Sequence, residues 1–212
     1  MSLIKYDNFD ETKITFSEPK MYGKNAKQIY LNFDDNLILL SSPRVRFPFG
    51  LSKYEEPGNS IKYSIDISFG DLTLPKHNKF YNIILCIEKQ VIEEAKKQSF
   101  KWFRKENISD EILDSMFSSS IKHAKNNNYP PNLRLKIPYY NEKFNCSVFN
   151  HERERIDDFE AKLERNTKAF CVVKCLGIWI AGGKFGINWQ VSQIKLEKPI
   201  ENKLAGFSFI ND

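Results

Sequence analysis

Apolar and polar positions alternate most cleanly in IKYSIDISF, where Ile61, Tyr63, Ile65, Ile67 and Phe69 point one way and Lys62, Ser64, Asp66 and Ser68 the other. That period of two predicts an antiparallel strand with one wet face. The longest β-like stretch is Phe170 to Leu196. Its first half is apolar apart from Lys174, which predicts a central strand covered on both faces. Ala181-Gly182-Gly183-Lys184 supplies the glycines of a tight reversal. On the return, Ile187, Trp189 and Val191 share a face, whereas Ile194 and Leu196 fall in the opposite phase, so a β-bulge is predicted near Ser192. Leu133, Leu135 and Ile137 alternate with Arg134 and Lys136 up to Pro138, and Asn141-Glu142-Lys143 turns into a strand whose Phe144, Cys146 and Val148 share a face. The two predict a second hairpin.

Elsewhere the pattern is shorter. Ile14 with Phe16, Ile29 to Phe33 and Leu37 to Leu40 read as strands, with a turn at Asp34-Asp35-Asn36. In SSPRVRFPFG, Arg44 and Arg46 interleave with Val45, Phe47 and Phe49, and Pro43 and Pro48 keep the segment extended, as an edge strand with a solvated face or as a basic, aromatic groove wall. A helix follows Phe80 and Tyr81, with Ile84, Ile87, Val91, Ile92, Ala95 and Ser99 at helical spacing. A second begins at Asp110 with Ile112, Leu113, Met116, Phe117 and Ile121 as its stripe and stops at Asn126-Asn127-Asn128. HERERIDDFEAKLERN reads as a short helix or solvated linker, and residues after Leu196 as a mobile or docking tail. The expectation is one mainly β domain over residues 1–196 with helices inserted at about 84–124, an OB-fold-like antiparallel Greek-key barrel, and a tail over 197–212.

Composition adds a mild bias. The 212 residues carry a formal charge of +5 and include 17 Phe, nine Tyr and three Trp, more rings than a β core plainly needs. The excess charge is compatible with a polyanion or with ordinary solubility. Cys86, Cys146, Cys171 and Cys175 form no metal-ligand spacing and read as small buried hydrophobes of a reducing compartment. No leader or membrane-length apolar run is seen, which predicts a soluble intracellular protein. His77, His123 and His151 lie apart, and the glycines of the hairpin lack the phosphate-loop pattern, so neither enzyme, metal nor cofactor is expected. Basic and aromatic positions on wet β faces suit a module on which bases stack, with single-stranded DNA or RNA as the partner. A viral structural or assembly protein that buries the same rings against neighbours is the alternative.

IKYSIDISF, FYNIILCIEKQVIEEAKK, YPPNLRLKIP and above all CLGIWIAGGKFGINWQVSQIKL resemble the replicative single-stranded-DNA-binding proteins of nucleocytoplasmic large DNA viruses. Those are similar to the helix-destabilising proteins of podophages. The resemblance spans roughly Pro43 to Leu196. It implies an OB-fold that coats single strands without sequence preference in replication and recombination, often as a dimer. The contact residues it implies are Arg44, Arg46, Phe47, Arg134, Lys136, Lys174, Trp179, Lys184, Phe185 and Trp189. The phage proteins carry a strongly acidic tail that contacts replication partners. Here GFSFIND keeps the aromatics but has a single terminal Asp.

Overall fold

Pairing between the alternating segments closes a ring. The computed structural model describes residues 3–58, 60–125 and 128–198. Its barrel strands are β1 (Leu39–Ser41), β2 (Val45–Arg46), β3 (Leu51–Glu56), β4 (Ser60–Ser68), β5 (Asn132–Ile137), β6 (Ser147–Phe149), β7 (Arg155–Ile156), β8 (Lys168–Ala181) and β9 (Lys184–Leu196). β2 joins β4 through Arg46 and Ser68, β4 runs antiparallel to β5, and β5 meets β9 in parallel at Lys136 and Gln190. β9 returns along β8, and β8 closes on β2 by pairing Lys168 with Arg46 and Ala169 with Val45. β1, β2 and β3 act as pieces of one kinked first strand, so the ring order is first, second, third, fifth, fourth. That is a five-stranded Greek-key barrel of the OB type.

β8 is central, as its sequence predicts, with β9 along one edge and β2, β1 and Ala26–Ile29 in succession along the other. Its outer face is not covered: Val172, Lys174 and Leu176 are only half-buried, while Cys171, Val173 and Cys175 are buried. The phase flip at Ser192 is a bulge, because Val172 pairs with Gln193 and Val173 with Val191. A second irregularity, between Cys175 and Gly177, depends on glycine: Gly177 has φ +105°, and a Cβ there would meet the Ile29 carbonyl and lie 3.3 Å from Tyr30 Cα. The reversal is made by Gly182 and Gly183 at φ 58° and 74°.

Several expectations are corrected. β2 lies between β4 and β8, not on an edge, since the prolines flank its two ladder residues instead of occupying them. β5 forms no hairpin with the strand after Asn141. Only Tyr139–Tyr140 and Lys143–Phe144 pair there, and β6 goes on to run parallel to β9, so the barrel is not wholly antiparallel. The first helix, α1 (Pro75–Lys97), begins well before residue 84, with Pro75 in its first turn. α2 (Ser99–Phe103) takes Ser99 out of α1, and α3 (Asp110–Met116) ends early because Phe117–Ser118 pairs with β9 and Ile121–Lys122 with β5. Asn126 and Asn127 lie outside the described residues, as does the tail beyond Lys198.

α1 packs its apolar face into the barrel core. Phe80, Ile84, Ile87 and Val91 are fully buried in one cluster with Ile65, Ile67, Leu135 and Phe185. One carboxylate goes in with them: Glu88 accepts the Ser120 N–H at 2.6 Å and the Ser119 hydroxyl at 2.9 Å, and the Ser120 hydroxyl accepts Trp189 Nε1 at 3.1 Å. These bonds satisfy a group that is costly to bury alone. Burial pushes the Cys171 and Cys175 thiols up to about 12 and Cys146 to about 11, so all three are inert core groups. Cys86 departs from that reading: it is half-buried on α1 and donates to Glu11 at 2.6 Å. No helix among the described residues is long and apolar enough to cross a membrane.

Candidate nucleic-acid interface

Register brings polar and aromatic side chains into rows on the outer face of the barrel. Lys174 on β8 opposes Gln190 on β9, Gln190 opposes Lys136 on β5, Lys136 opposes Ser64 on β4, and Ser64 opposes Ser52 on β3. Strands lie about 4.8 Å apart, so this row runs roughly 19 Å across the barrel. Neither lysine hydrogen-bonds or ion-pairs through its ammonium with another described residue. Desolvation, and then the like charge of Lys62, hold the pKa of Lys136 below the ordinary lysine value even though its chain reaches solvent.

Four residues back along β8, about 13 Å away, a second row alternates rings with cations. Phe170 opposes Lys195 on β9, Lys195 opposes Phe149 on β6, and Phe149 opposes Arg155 on β7. Lys195 Nζ stands 4.9 Å from the centre of the Phe170 ring, a cation–π geometry. Phe170 keeps 37% of its surface exposed, although a ring of that size is ordinarily buried. Between the rows lie Val172, Gln193 and Ser147, uncharged and in register. Tyr54, 62% exposed, opposes Lys62 and extends the face onto the β3–β4 hairpin.

The carboxylates on this face are engaged. Asp66 takes both nitrogens of a bidentate Arg134 at 2.8 and 3.0 Å, which pins the guanidinium over β4 and raises its pKa. Asp157 sits 3.3 Å from Arg155, and Glu56 holds Lys62 at 2.5 Å. The face therefore offers unpaired lysines and fixed guanidinium edges beside open ring faces. Phosphates and unstacked bases are complementary to that combination.

The residues singled out from the sequence divide into four groups. Arg134, Lys136 and Lys174 come together on the outer face. Arg44 and Arg46 sit on the first strand near the ends of β8 and β9, where Arg44 is bidentate to Glu197 at 2.6 and 2.7 Å, which raises its pKa, and Arg46 donates to Asn166 at 3.3 Å. Lys184 is exposed at the far hairpin tip and donates to the Ser115 carbonyl at 2.5 Å, with half-buried Trp179 close by against Gly186. Phe47, Phe185 and Trp189 offer no ring face to solvent. Phe47 and Phe185 are fully buried, Trp189 is 2% exposed, and Phe185 packs among Trp102, Phe103 and Phe117. Their expected contact role is corrected to a core role: Phe185 and Trp189 fall on the inward phase of β9, and Phe47, just past β2, is buried in the core. Phe149, Arg155, Phe170 and Lys195 were not singled out. Lys195 follows from the phase flip at Ser192, whereas Phe149 and Arg155 reach the face only through the parallel pairing of β6 with β9.

Fold and surface define a class: a five-stranded barrel with a cationic, aromatic outer face. The chain belongs to the Family of unknown function (DUF5871), whose family model matches residues 65–207. No curated protein matches the sequence. Among solved structures it is similar to a single-stranded DNA-binding protein from bacteriophage Enc34, with a TM-score of 0.47 and 16% identity over 89% of this chain and 94% of that one. A C-terminal truncation of the Enc34 protein gives 0.48 and 18% over 86% and 95%. Bacteriophage T7 gp2.5, a single-stranded DNA binding protein, gives 0.48 and 9% over 82% and 100%.

Proposed function

We propose that this protein binds single-stranded DNA without sequence preference, laying the strand along the outer face of β8, β9, β5 and β6, and that it serves viral DNA replication and recombination. The observation that carries the reading is the Phe170, Lys195, Phe149, Arg155 row, where rings and cations alternate at strand spacing. Base stacking on such rings is worth about 1–3 kcal/mol each and tolerates every base. Direct base-edge readout needs fixed donor and acceptor sets, and between the rows the polar side chains are a single amide, Gln193, and a single hydroxyl, Ser147, beside apolar Val172. The resemblance read from the sequence supports DNA as the strand and a virus as the setting. A homodimer, and replication proteins engaged through residues 197–212, belong to the same proposal.

Fluorescence anisotropy of labelled oligo-dT, oligo-dA and duplex at several salt concentrations tests it. Similar affinity for both single strands, weaker duplex binding and a steep salt slope are expected. Absence of single-strand binding at low salt would remove the reading and leave a virion assembly role, in which neighbouring subunits cover Phe170 and Phe149.

A further inference from the structure

We propose that a recess at the end of this face seats the phosphate-bearing terminus of the bound strand. The inference rests on the single-strand reading. The recess has a volume of about 730 Å³ and is bounded by the loop after β6, the segment before β8 and the last residues described after β9. It is the next step beyond the aromatic row on the same strands. Ile156 follows Arg155, Leu196 follows Lys195, and Lys168 precedes Phe170 by two, and all three line it.

Its charge is unbalanced. Lys162, Arg165, Lys168 and Lys198 line it, and none ion-pairs or hydrogen-bonds through its side chain with another described residue. Of its two carboxylates, Glu197 is neutralised by bidentate Arg44, which leaves Glu164 against four cations. Arg46 also stands directly opposite Lys168 in the β2–β8 register. Like charges so placed destabilise a sheet unless an anion lies between them. An internal phosphodiester carries a single charge, whereas a terminal phosphate carries about −1.5 to −2 at neutral pH. A terminal phosphate with its neighbouring diester thus supplies roughly the −3 that balances the recess. Ile156, Ala161 and Leu196 form an apolar wall on which the terminal base can lie. Pockets of this size, part apolar with a few convergent polar groups, are typical of small-ligand sites.

The test compares oligo-dT of one length ending in hydroxyls, in a 5′-phosphate or in a 3′-phosphate, bound to the full chain and to its Arg165→Ala/Lys168→Ala variant, with thymidine 5′-monophosphate as competitor. One phosphorylated end is expected to bind at least about fivefold more tightly at 0.1 M salt, the counterion release of one further neutralised phosphate. The variant is expected to lose that difference while still binding the hydroxyl-ended strand. Equal affinity for all three strands by a protein that binds them tightly would overturn the recess assignment and leave the single-strand reading standing. A preference that survives in the variant would overturn it too. Thymidine monophosphate competing as well as the whole strand would move the site to free nucleotides and overturn the strand-end assignment. Failure to bind any strand removes both readings together.

Discussion

Lys136 and Lys174 flank Gln190 in one cross-strand row, two strand spacings or about 10 Å apart, and replacing both by alanine isolates the electrostatic part of binding. Neither ammonium has a partner among the described residues, so their removal orphans nothing and should change folding stability by less than about 0.5 kcal/mol. Each lysine that neutralises a phosphate of a single strand contributes about 0.7 to the slope of log affinity against log salt. At 0.1 M salt, one decade below the standard state, that is about 0.7 log units, or roughly fivefold and 1 kcal/mol per contact. The double variant should therefore bind oligo-dT about 25-fold more weakly, with a slope shallower by about 1.4. Anisotropy titrations at four or more salt concentrations read both numbers, and urea unfolding checks the fold. An unchanged slope in a stably folded double variant would refute the assignment of this row to the phosphate path.

Phe170→Ala and Phe149→Ala are each expected to cost about 1–3 kcal/mol of affinity through lost stacking, with the salt slope unchanged, as the same titrations would reveal. The depressed pKa of Lys136 means the protein alone releases that proton below the ordinary lysine value of 10.5, and a bound phosphate restores it. Affinity should accordingly begin to fall below pH 10.5 as pH rises, a step absent from Lys136→Ala in a pH titration of binding. Glu88→Ala leaves the buried Ser120 N–H without its acceptor and should destabilise by about 3 kcal/mol, measured by urea unfolding followed through tryptophan fluorescence. Gly177→Ala forces a side chain into φ +105° against the Ile29 carbonyl and should lower Tm by roughly 4–8 °C in a thermal melt, the equivalent of about 2 kcal/mol in a chain of this length.

Strand identity and side-chain phase were legible wherever alternation was regular. The wet face of β4, the inward set of β5 and the Ser192 bulge all follow from period-two counting, because a one-residue slip would expose an entire apolar set. Partnership between strands was legible for β8 and β9, which the Gly182-Gly183 reversal joins, but not for strands linked by longer segments. β6 runs parallel to β9 instead of returning along β5, and that choice depends on the whole chain path, not on the turn at Asn141. Helix ends failed where a stripe was extrapolated: Phe117 and Ile121 continue the spacing of α3 but satisfy it within the sheet. For the interface, basic residues at outward phase were found, as with Arg134 and Lys136. The aromatics were misassigned, because Trp189 and Phe185 drew attention by size while their phase sent them inward. Phe170 was hidden at the head of an apolar run, where its exposure depends on the outer face of β8 lacking a covering layer.

Photocrosslinking a single strand that carries iodouracil, followed by peptide mapping, locates the path of the strand on the barrel. Adducts are expected at Phe170 and Phe149, lost when Lys136 and Lys174 are replaced at moderate salt. Adducts confined to the Gly182-Gly183 tip or to the exposed Lys20–Tyr22 strand, with Phe149 and Phe170 unmodified, would rule out a strand path over β8, β9, β5 and β6.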